Sequence, residues 1–388
     1  MSALLNRTLL EWLVHRALPY WADHGVDRQN GGFYELLNRS GAPIAAMKRA
    51  RLTARQIYCF SEGGRLGWKG PYKEIIQHGL NFLTRHLLRS DGSIVMATSE
   101  DGKFTDDRYD PYDYAFVLFS LAAAAHTLDC REELENLARR IAGKLISTWA
   151  HPEFGFEEAA PRTLPLKSNP QMHLLEAFLA WAESSPKDDN FWLDAAKGIA
   201  ALALQRLVSK DNNAICEWYD GNWCPVSDDF GLQIEPGHQF EWAWLLSRWS
   251  LLSGDEAAFI AAKKLAEIGE RHGIDPDREV AINAINEKFA VRDPNAKLWP
   301  QTERAKAWHI LSQHPLNDRA SRTNAELLTE AALRGCQKYI INGHAPIWNE
   351  VMRPDGTFID EPVRASSFYH IVCAISTVNP PNLESSDV

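Results

Sequence analysis

Residues 234–273 read IEPGHQFEWAWLLSRWSLLSGDEAAFIAAKKLAEIGERHG, and two kinds of helix stand side by side in them. The first, QFEWAWLLSRWSLL (239–252), is apolar nearly all round, as a helix covered on most sides must be. The second, DEAAFIAAKKLAEIGERHG (255–273), gathers Phe259, Ala262, Leu265 and Ile268 on one stripe and leaves a wet face of charges. The covered helix nevertheless carries His238 and Glu241 three apart, hence on one face. Burying an imidazole beside a carboxylate is costly unless that face looks onto something polar.

The alternation extends in both directions. YDYAFVLFSLAAAA (112–125) is covered, and REELENLARRIAGKLISTWA (131–150) is amphipathic through Leu134, Leu137, Ile141, Leu145 and Trp149. The pattern predicts helices over 3–24, 48–66, 70–89, 110–128, 131–148, 169–184, 189–208, 237–253, 255–271, 297–314, 322–340 and 365–377. A few residues join each covered helix to the wet helix after it. The return connections are about twenty residues long and carry turn and strand signals: NGGFYELLNRSGAP, SDGSIVMATSEDGKF, NNAICEWYDGNW and IWNEVMRPDGTF. Ordered loops of that length are usually functional. Six hairpins of this kind predict an all-α fold, an (α/α)6 barrel with an apolar inner ring, an amphipathic outer ring and the long loops over one end. Residues 1–388 then form one catalytic domain. An open solenoid or a pair of bundles is the competing arrangement.

Composition narrows the function classes. At 388 residues the chain exceeds the usual domain length, so two domains or one closed repeat fold are the options, and 45% hydrophobic residues supply an ample core. A net charge of -10, with no run of Lys or Arg longer than a pair, excludes a nucleic-acid or anionic-membrane surface. The opening MSALLNRTLLEWLVHRALPYW is periodic and broken by charges, unlike a signal peptide, and no apolar run is long enough for a membrane span. The six cysteines form no CxxC pair and read as reduced core thiols of a cytoplasmic protein. Cys216 and Cys224 have neither a histidine nor a second cysteine pair beside them to make a metal site. Self-association is left open.

The starts of the covered helices carry the chemistry. Asp110-Pro111, Asn169-Pro170, Glu235-Pro236 and Trp299-Pro300 each place a proline where a helix should begin, with Asp or Asn able to cap. Tyr112, His173, His238 and Glu303 follow within a turn. With Arg55 and His370 from the other two covered helices, the series 55, 112, 173, 238, 303, 370 advances by about one helix pair each time. If the inner helices run parallel, these side chains converge at one end of the barrel. Any one of them could be a satisfied core residue, or the ion-pair partner of one. Six at one level in six helices are better explained by a site. Arg51 and Arg55, a turn apart on a covered helix, are likewise costly without a role.

The segments RLTARQIY, DPYDYAFVLF, NPQMHLLEAFLA, PGHQFEWAWLL, LWPQTERAKA and SSFYHIVCA together resemble the N-acyl-D-glucosamine 2-epimerase superfamily, over essentially the whole chain. That superfamily has the (α/α)6 barrel and includes cellobiose 2-epimerases and aldose–ketose isomerases. SSFYHIVCA and LWPQTE look most similar to its bacterial D-mannose isomerases, while Arg364 has no place in the pattern. The resemblance implies that His238 and His370 are an acid/base pair and that Arg55 contacts the carbonyl oxygen. It also implies that Tyr112, Asn169, Met172, His173, Glu241, Trp299 and Glu303 line the sugar site.

The chemistry fits those residue types. Interconverting mannose and fructose, or epimerising C2, moves a proton next to a carbonyl through an enediolate once the ring has opened. A histidine accepts and returns a proton near neutral pH, and the helix dipole at His238 should favour its neutral form. A guanidinium at Arg55 can hold the negative oxygen, so no metal or other cofactor is needed. His370 is expected to make the C1–C2 transfer and His238 to serve ring opening and the oxygens. Glu241 would hold His238 or a sugar hydroxyl. Both an isomerase and a 2-epimerase could use this set. A glycoside hydrolase would need paired acids, for which Asp228–Asp229 and Glu157–Glu158 are the candidates, but these fall in loops. A metal-dependent isomerase could use His238, Glu241 and His173, although Arg55 at the same level would oppose a cation. A sugar-binding protein without turnover has little use for two titrating imidazoles.

Overall fold

The computed structural model describes residues 2–186, 188–227, 232–340 and 345–380. Six helices form an inner ring: Ala50–Arg65, Pro111–Thr127, Ser168–Ala182, Pro236–Ser253, Leu298–Gln313 and Ala365–Val378. Each packs on the next, and the sixth packs on the first, which closes the ring and excludes both the open solenoid and the two bundles. Outside them lie Arg131–Trp149, Glu256–Gly273, Arg319–Ile340, and two helices that end in a π-helical turn, Tyr72–Phe82 with Leu83–Leu87 and Phe191–Leu202 with Ala203–Leu207. Ser2–Trp12, Leu13–Ala17 and Leu18–His24 run on as the first outer helix. The expected limits hold to within three residues, the largest difference being a start at Arg319 rather than 322. No helix among the described residues is long and apolar enough to cross a membrane.

The core is the apolar sleeve between the rings. Trp181 of the third inner helix stacks on Trp192 of its outer partner at 5.3 Å, and its indole N–H donates to the Leu118 carbonyl at 2.9 Å. A buried tryptophan usually satisfies its one polar atom in this way, although the Trp192 and Trp21 indole nitrogens have no partner among the described residues. At the seam, Trp21 of the first outer helix stacks on Trp348 at 5.1 Å and on Phe368 of the last inner helix at 5.5 Å. Strand Leu36–Leu37 of the first return loop pairs there with Val363–Arg364, and Arg39 donates to the Trp348 carbonyl.

Four inner helices start directly after a two-residue strand, Lys48–Arg49, Leu166–Lys167, Ala296–Lys297 or Val363–Arg364. This corrects two of the proline readings. Because the helices begin at Ser168 and Leu298, Pro170 and Pro300 lie inside the first turn, where a missing N–H still costs nothing. Asn169 is therefore not a cap. Asp110 is one, its side chain accepting from the Tyr112 N–H at 2.9 Å ahead of Pro111. Elsewhere the cap comes from the loops: the N–H before the helix donates to Glu35 at Arg49, Glu158 at Lys167, Glu217 at Glu235, Asn283 at Lys297 and Glu350 at Arg364. One loop side chain per repeat thus ties each of these loops to a helix start. Of the cysteines, Cys59, Cys216, Cys336 and Cys373 are buried thiols, but Cys224 is exposed, contrary to the expectation of a core position.

Candidate active site

The depth of the strand-to-helix turn sets the level of the polar side chains. Arg55, His173, Glu303 and His370 are each the sixth residue of helices that begin at Ala50, Ser168, Leu298 and Ala365. Tyr112 and His238 stand nearer the mouth, second and third after the starts at Pro111 and Pro236. A cavity of about 330 Å³ opens there, within the range of small-molecule sites. Its wall includes Arg55, Tyr112, Asn169, His173, His238, Glu241, Trp299 and His370, so eight of the ten expected residues meet around one hollow. The other two sit behind it. Met172 is fully buried in hydrocarbon, and Glu303 is buried behind His370.

Three imidazoles are each fixed through Nδ1 to a carboxylate: His238 to Glu217 at 2.8 Å, His370 to Glu303 at 2.9 Å and His173 to Glu176 at 2.9 Å. An ionised carboxylate only accepts, so Nδ1 carries a proton and the tautomer is set. Their charge states differ. Burial alone would lower His238, but Glu217 and Glu235 outweigh it and push the imidazole up to about 10. His238 is therefore an imidazolium at neutral pH, contrary to the expectation from the helix dipole. Half a charge at a helix end is outweighed by two whole carboxylates, one of them in hydrogen-bond contact. Burial pushes His370 well below the usual range, with Arg55 and Lys306 adding to the effect. Burial also takes His173 down to about 4. The site thus holds one charged imidazole and two neutral ones.

Arg55 is unlike its neighbour one turn earlier. Arg51 is bound to both Asp110 and Asp113, which gives its charge a structural role. Among the described residues Arg55 has no carboxylate partner. It donates to the Tyr112 hydroxyl at 2.7 Å and is held between aromatic faces, 4.0 Å over Phe116 and 5.1 Å over Tyr369, with Nε unpartnered. A guanidinium so held is free to meet a negative oxygen in the cavity. Trp299 lies between the two outer imidazoles, 4.9 Å from His238 and 5.7 Å from His370. Gly237 makes room for it, since a Cβ there would stand 2.5 Å from the indole. Glu241 does not hold His238. Both its oxygens are buried without a hydrogen-bond partner among the described residues, 3.8 Å from His173 at the closest ion-pair approach. Burial and the Glu303 charge raise it well above the carboxylate range, so it is a neutral acid facing the cavity, able to donate to a hydroxyl.

Four functional neighbours were missing from the sequence reading: Glu217, Glu235, Glu176 and Lys306. Glu176 and Lys306 follow His173 and Glu303 by three, the same spacing that singled out His238 and Glu241. Glu217 belongs with the loop acids Glu35, Glu158 and Glu350, each of which has an aromatic or apolar residue one or two places before it.

Among the described residues, three groups have metal-ligand types within 4.8 Å of one another: His173–Glu176–Glu241, Glu217–Glu235–His238 and Glu241–Glu303–His370. In the second, a protonated His238 has no lone pair to give, and in the third Lys306 already stands 2.6 Å from Glu303. Of the acids a hydrolase would pair, Glu157 and Glu158 are absent from the cavity wall. Glu157 is bound to Arg162 and Glu158 to Lys167, while Asp228 and Asp229 lie outside the described residues. A second cavity of about 310 Å³ opens at the opposite end of the barrel, but its guanidiniums, Arg65 and Arg248, are tied to Glu62 and Glu183. None of the three imidazoles lines it, whereas all three line the first.

The sequence model of the N-acylglucosamine 2-epimerase (GlcNAc 2-epimerase) family matches residues 31–374. A mannose-6-phosphate isomerase of Rhizobium meliloti is 38% identical over 368 residues, which is 95% of each chain. A cellobiose 2-epimerase of Bacteroides fragilis is 24% identical over 66% of this chain and 68% of its own. Among solved structures, a D-mannose isomerase superposes with a TM-score of 0.84 at 19% identity, covering 96% of this chain and 97% of that one.

Proposed function

The chain belongs to the N-acylglucosamine 2-epimerase family and is an enzyme of the isomerase class, and on that premise we propose that it interconverts D-mannose and D-fructose by metal-independent proton transfer. The observation that carries the reading is the opposite charge state of the two outer imidazoles. His370, neutral with Nδ1 engaged, offers Nε2 as a base. It takes the proton from C2 of the opened aldose and leaves an enediolate. Arg55 and the His238 imidazolium bear the negative charge on the oxygens. The hydroxyl proton passes from O2 to O1, His370 returns its proton to C1 on the same face, and the ketose results. A protonated, neutral Glu241 supplies a hydrogen bond to a sugar oxygen.

Epimerisation would require His238 to hand its proton to carbon from the opposite face. An imidazolium held at about 10 is a poor carbon donor but a good partner for an oxyanion, which favours same-face transfer. Metal independence rests on Lys306 beside Glu303 and on the Arg55 guanidinium, which supply the positive charge.

A phosphorylated mannose is the second reading, favoured by Lys297 and Arg364 at the cavity mouth and by the name of the Rhizobium relative. The test is incubation in deuterated water, with chelator, of mannose, fructose, mannose 6-phosphate or N-acetylglucosamine. Ketose carrying deuterium at C1, or aldose carrying it at C2, is the expected product. Glucose or N-acetylmannosamine formed from its partner sugar, or loss of turnover with chelator, would displace the proposal. Turnover of the phosphate alone selects the second reading.

Glu217→Gln tests the acid. Removing this carboxylate from Nδ1 lowers His238, by roughly one to three pH units for a lost opposite charge at this range. Since His238 acts when protonated, the alkaline limb of kcat moves down from near 10, and activity falls more at pH 9 than at pH 7. An unmoved alkaline limb would remove His238 from the role.

A further inference from the structure

We propose that Lys306 is a positioning residue for proton transfer at His370: its ammonium fixes the negative charge on Glu303 and thereby the proton on Nδ1 of that imidazole. The inference deepens the isomerase reading of the site and depends on it only for the choice of substrate. Lys306 is fully buried, a rare state for lysine unless it is paired. Its Nζ lies 2.6 Å from Glu303 Oε2, 3.7 Å over the Trp244 ring, and donates to Cys373 Sγ at 3.6 Å. The other oxygen of the same carboxylate, Oε1, accepts from His370 Nδ1 at 2.9 Å. One carboxylate therefore joins an ammonium to the base, and Lys306, absent from the cavity wall, does so without meeting the sugar.

The surroundings say why a fixed charge is needed. Around Glu303 and His370 stand Arg55 from the first inner helix, His173 and Glu176 from the third, Glu241 from the fourth, and Tyr369 and Cys373 from the sixth. Burial pushes Glu303 up toward its neutral form, and Lys306 is the largest opposing influence. Without that ammonium, Glu303 would face Glu176 in a dry interior and take up a proton. A protonated Glu303 donates to Nδ1 instead of accepting from it, which moves the ring proton to Nε2 and abolishes the base.

The test uses the full chain and reads the tautomer directly. With ¹⁵N-histidine labelling and the His370 signals assigned by difference against His370→Asn, the wild type is expected to carry its proton on Nδ1, and Lys306→Met on Nε2. kcat at neutral pH should fall about 10²-fold in Lys306→Met, the scale of losing a general base, with KM within about threefold. The acid limb of kcat should move up by about one pH unit or more as Glu303 becomes the group that must ionise. Lys306→Gln keeps the bulk and a donor but no charge, so it should behave like Lys306→Met and is the variant to read if the methionine chain does not fold. A wild-type His370 with its proton on Nε2 overturns the proposal without any variant. So does Lys306→Gln with wild-type kcat and pH profile, the result of a merely structural role. If the wild type turns over none of the sugars, the isomerase reading fails while the tautomer comparison still decides the role of Lys306.

Discussion

His370→Asn is expected to slow deuterium exchange at C2 by about 10²–10⁴-fold, the range of a positioned general base. Asparagine keeps a polar side chain near Glu303 but cannot take a proton from carbon. His370 is also nearly buried and its pair with Glu303 lies behind the wall, so KM should change far less than kcat. Exchange followed by NMR, with the melting temperature of the variant measured alongside, separates lost chemistry from lost fold. A folded variant that still exchanges within tenfold of wild type would transfer the base to another group. His173, itself neutral and about 4.9 Å from the Tyr112 ring, would be next.

The second large effect concerns charge on oxygen. Arg55→Met is expected to cost about 10²–10³-fold in kcat, the loss found when one oxyanion donor is removed. Because Arg55 has no carboxylate partner among the described residues, removing it strands no buried acid, and stability should change little. Arg51→Met makes the contrast one turn away. It strands Asp113, which is 1% exposed, and should cost about 3–5 kcal/mol in urea unfolding. Should Arg55→Met lose stability and keep its turnover, the guanidinium would be a strut and the enediolate would need another partner.

These two arginines show what the sequence made readable. On an apolar helix a charge stands out, so Arg51, Arg55, His238 and Glu241 were conspicuous, and the same contrast between covered and wet helices delivered the ring with its limits. Which charge was structural was not readable, because it depended on Asp110 and Asp113 arriving from the next helix. Glu217 escaped for a related reason: a loop residue has no period to betray its face, and only folding brings it 2.8 Å from His238. The protonation of His238 was misjudged because the helix dipole can be inferred from position alone, whereas Glu217 comes from another segment. Met172 was carried by likeness to a motif, and the motif does not say which of its residues turns outward.

The seam between the first and last inner helices has a consequence for synthesis. A chain leaving the ribosome can stack five hairpin repeats in turn, but the flank of Ala50–Arg65 stays bare until Ala365–Val378 emerges and lays Tyr369 against Tyr58 at 5.4 Å and Phe368 against Trp21. That last segment also brings His370. Closure of the ring and the proposed base therefore arrive together, after the other five inner helices, and a chain that stops short of this segment presents sticky aromatic surface to chaperones and proteases while lacking the imidazole proposed to act on sugars.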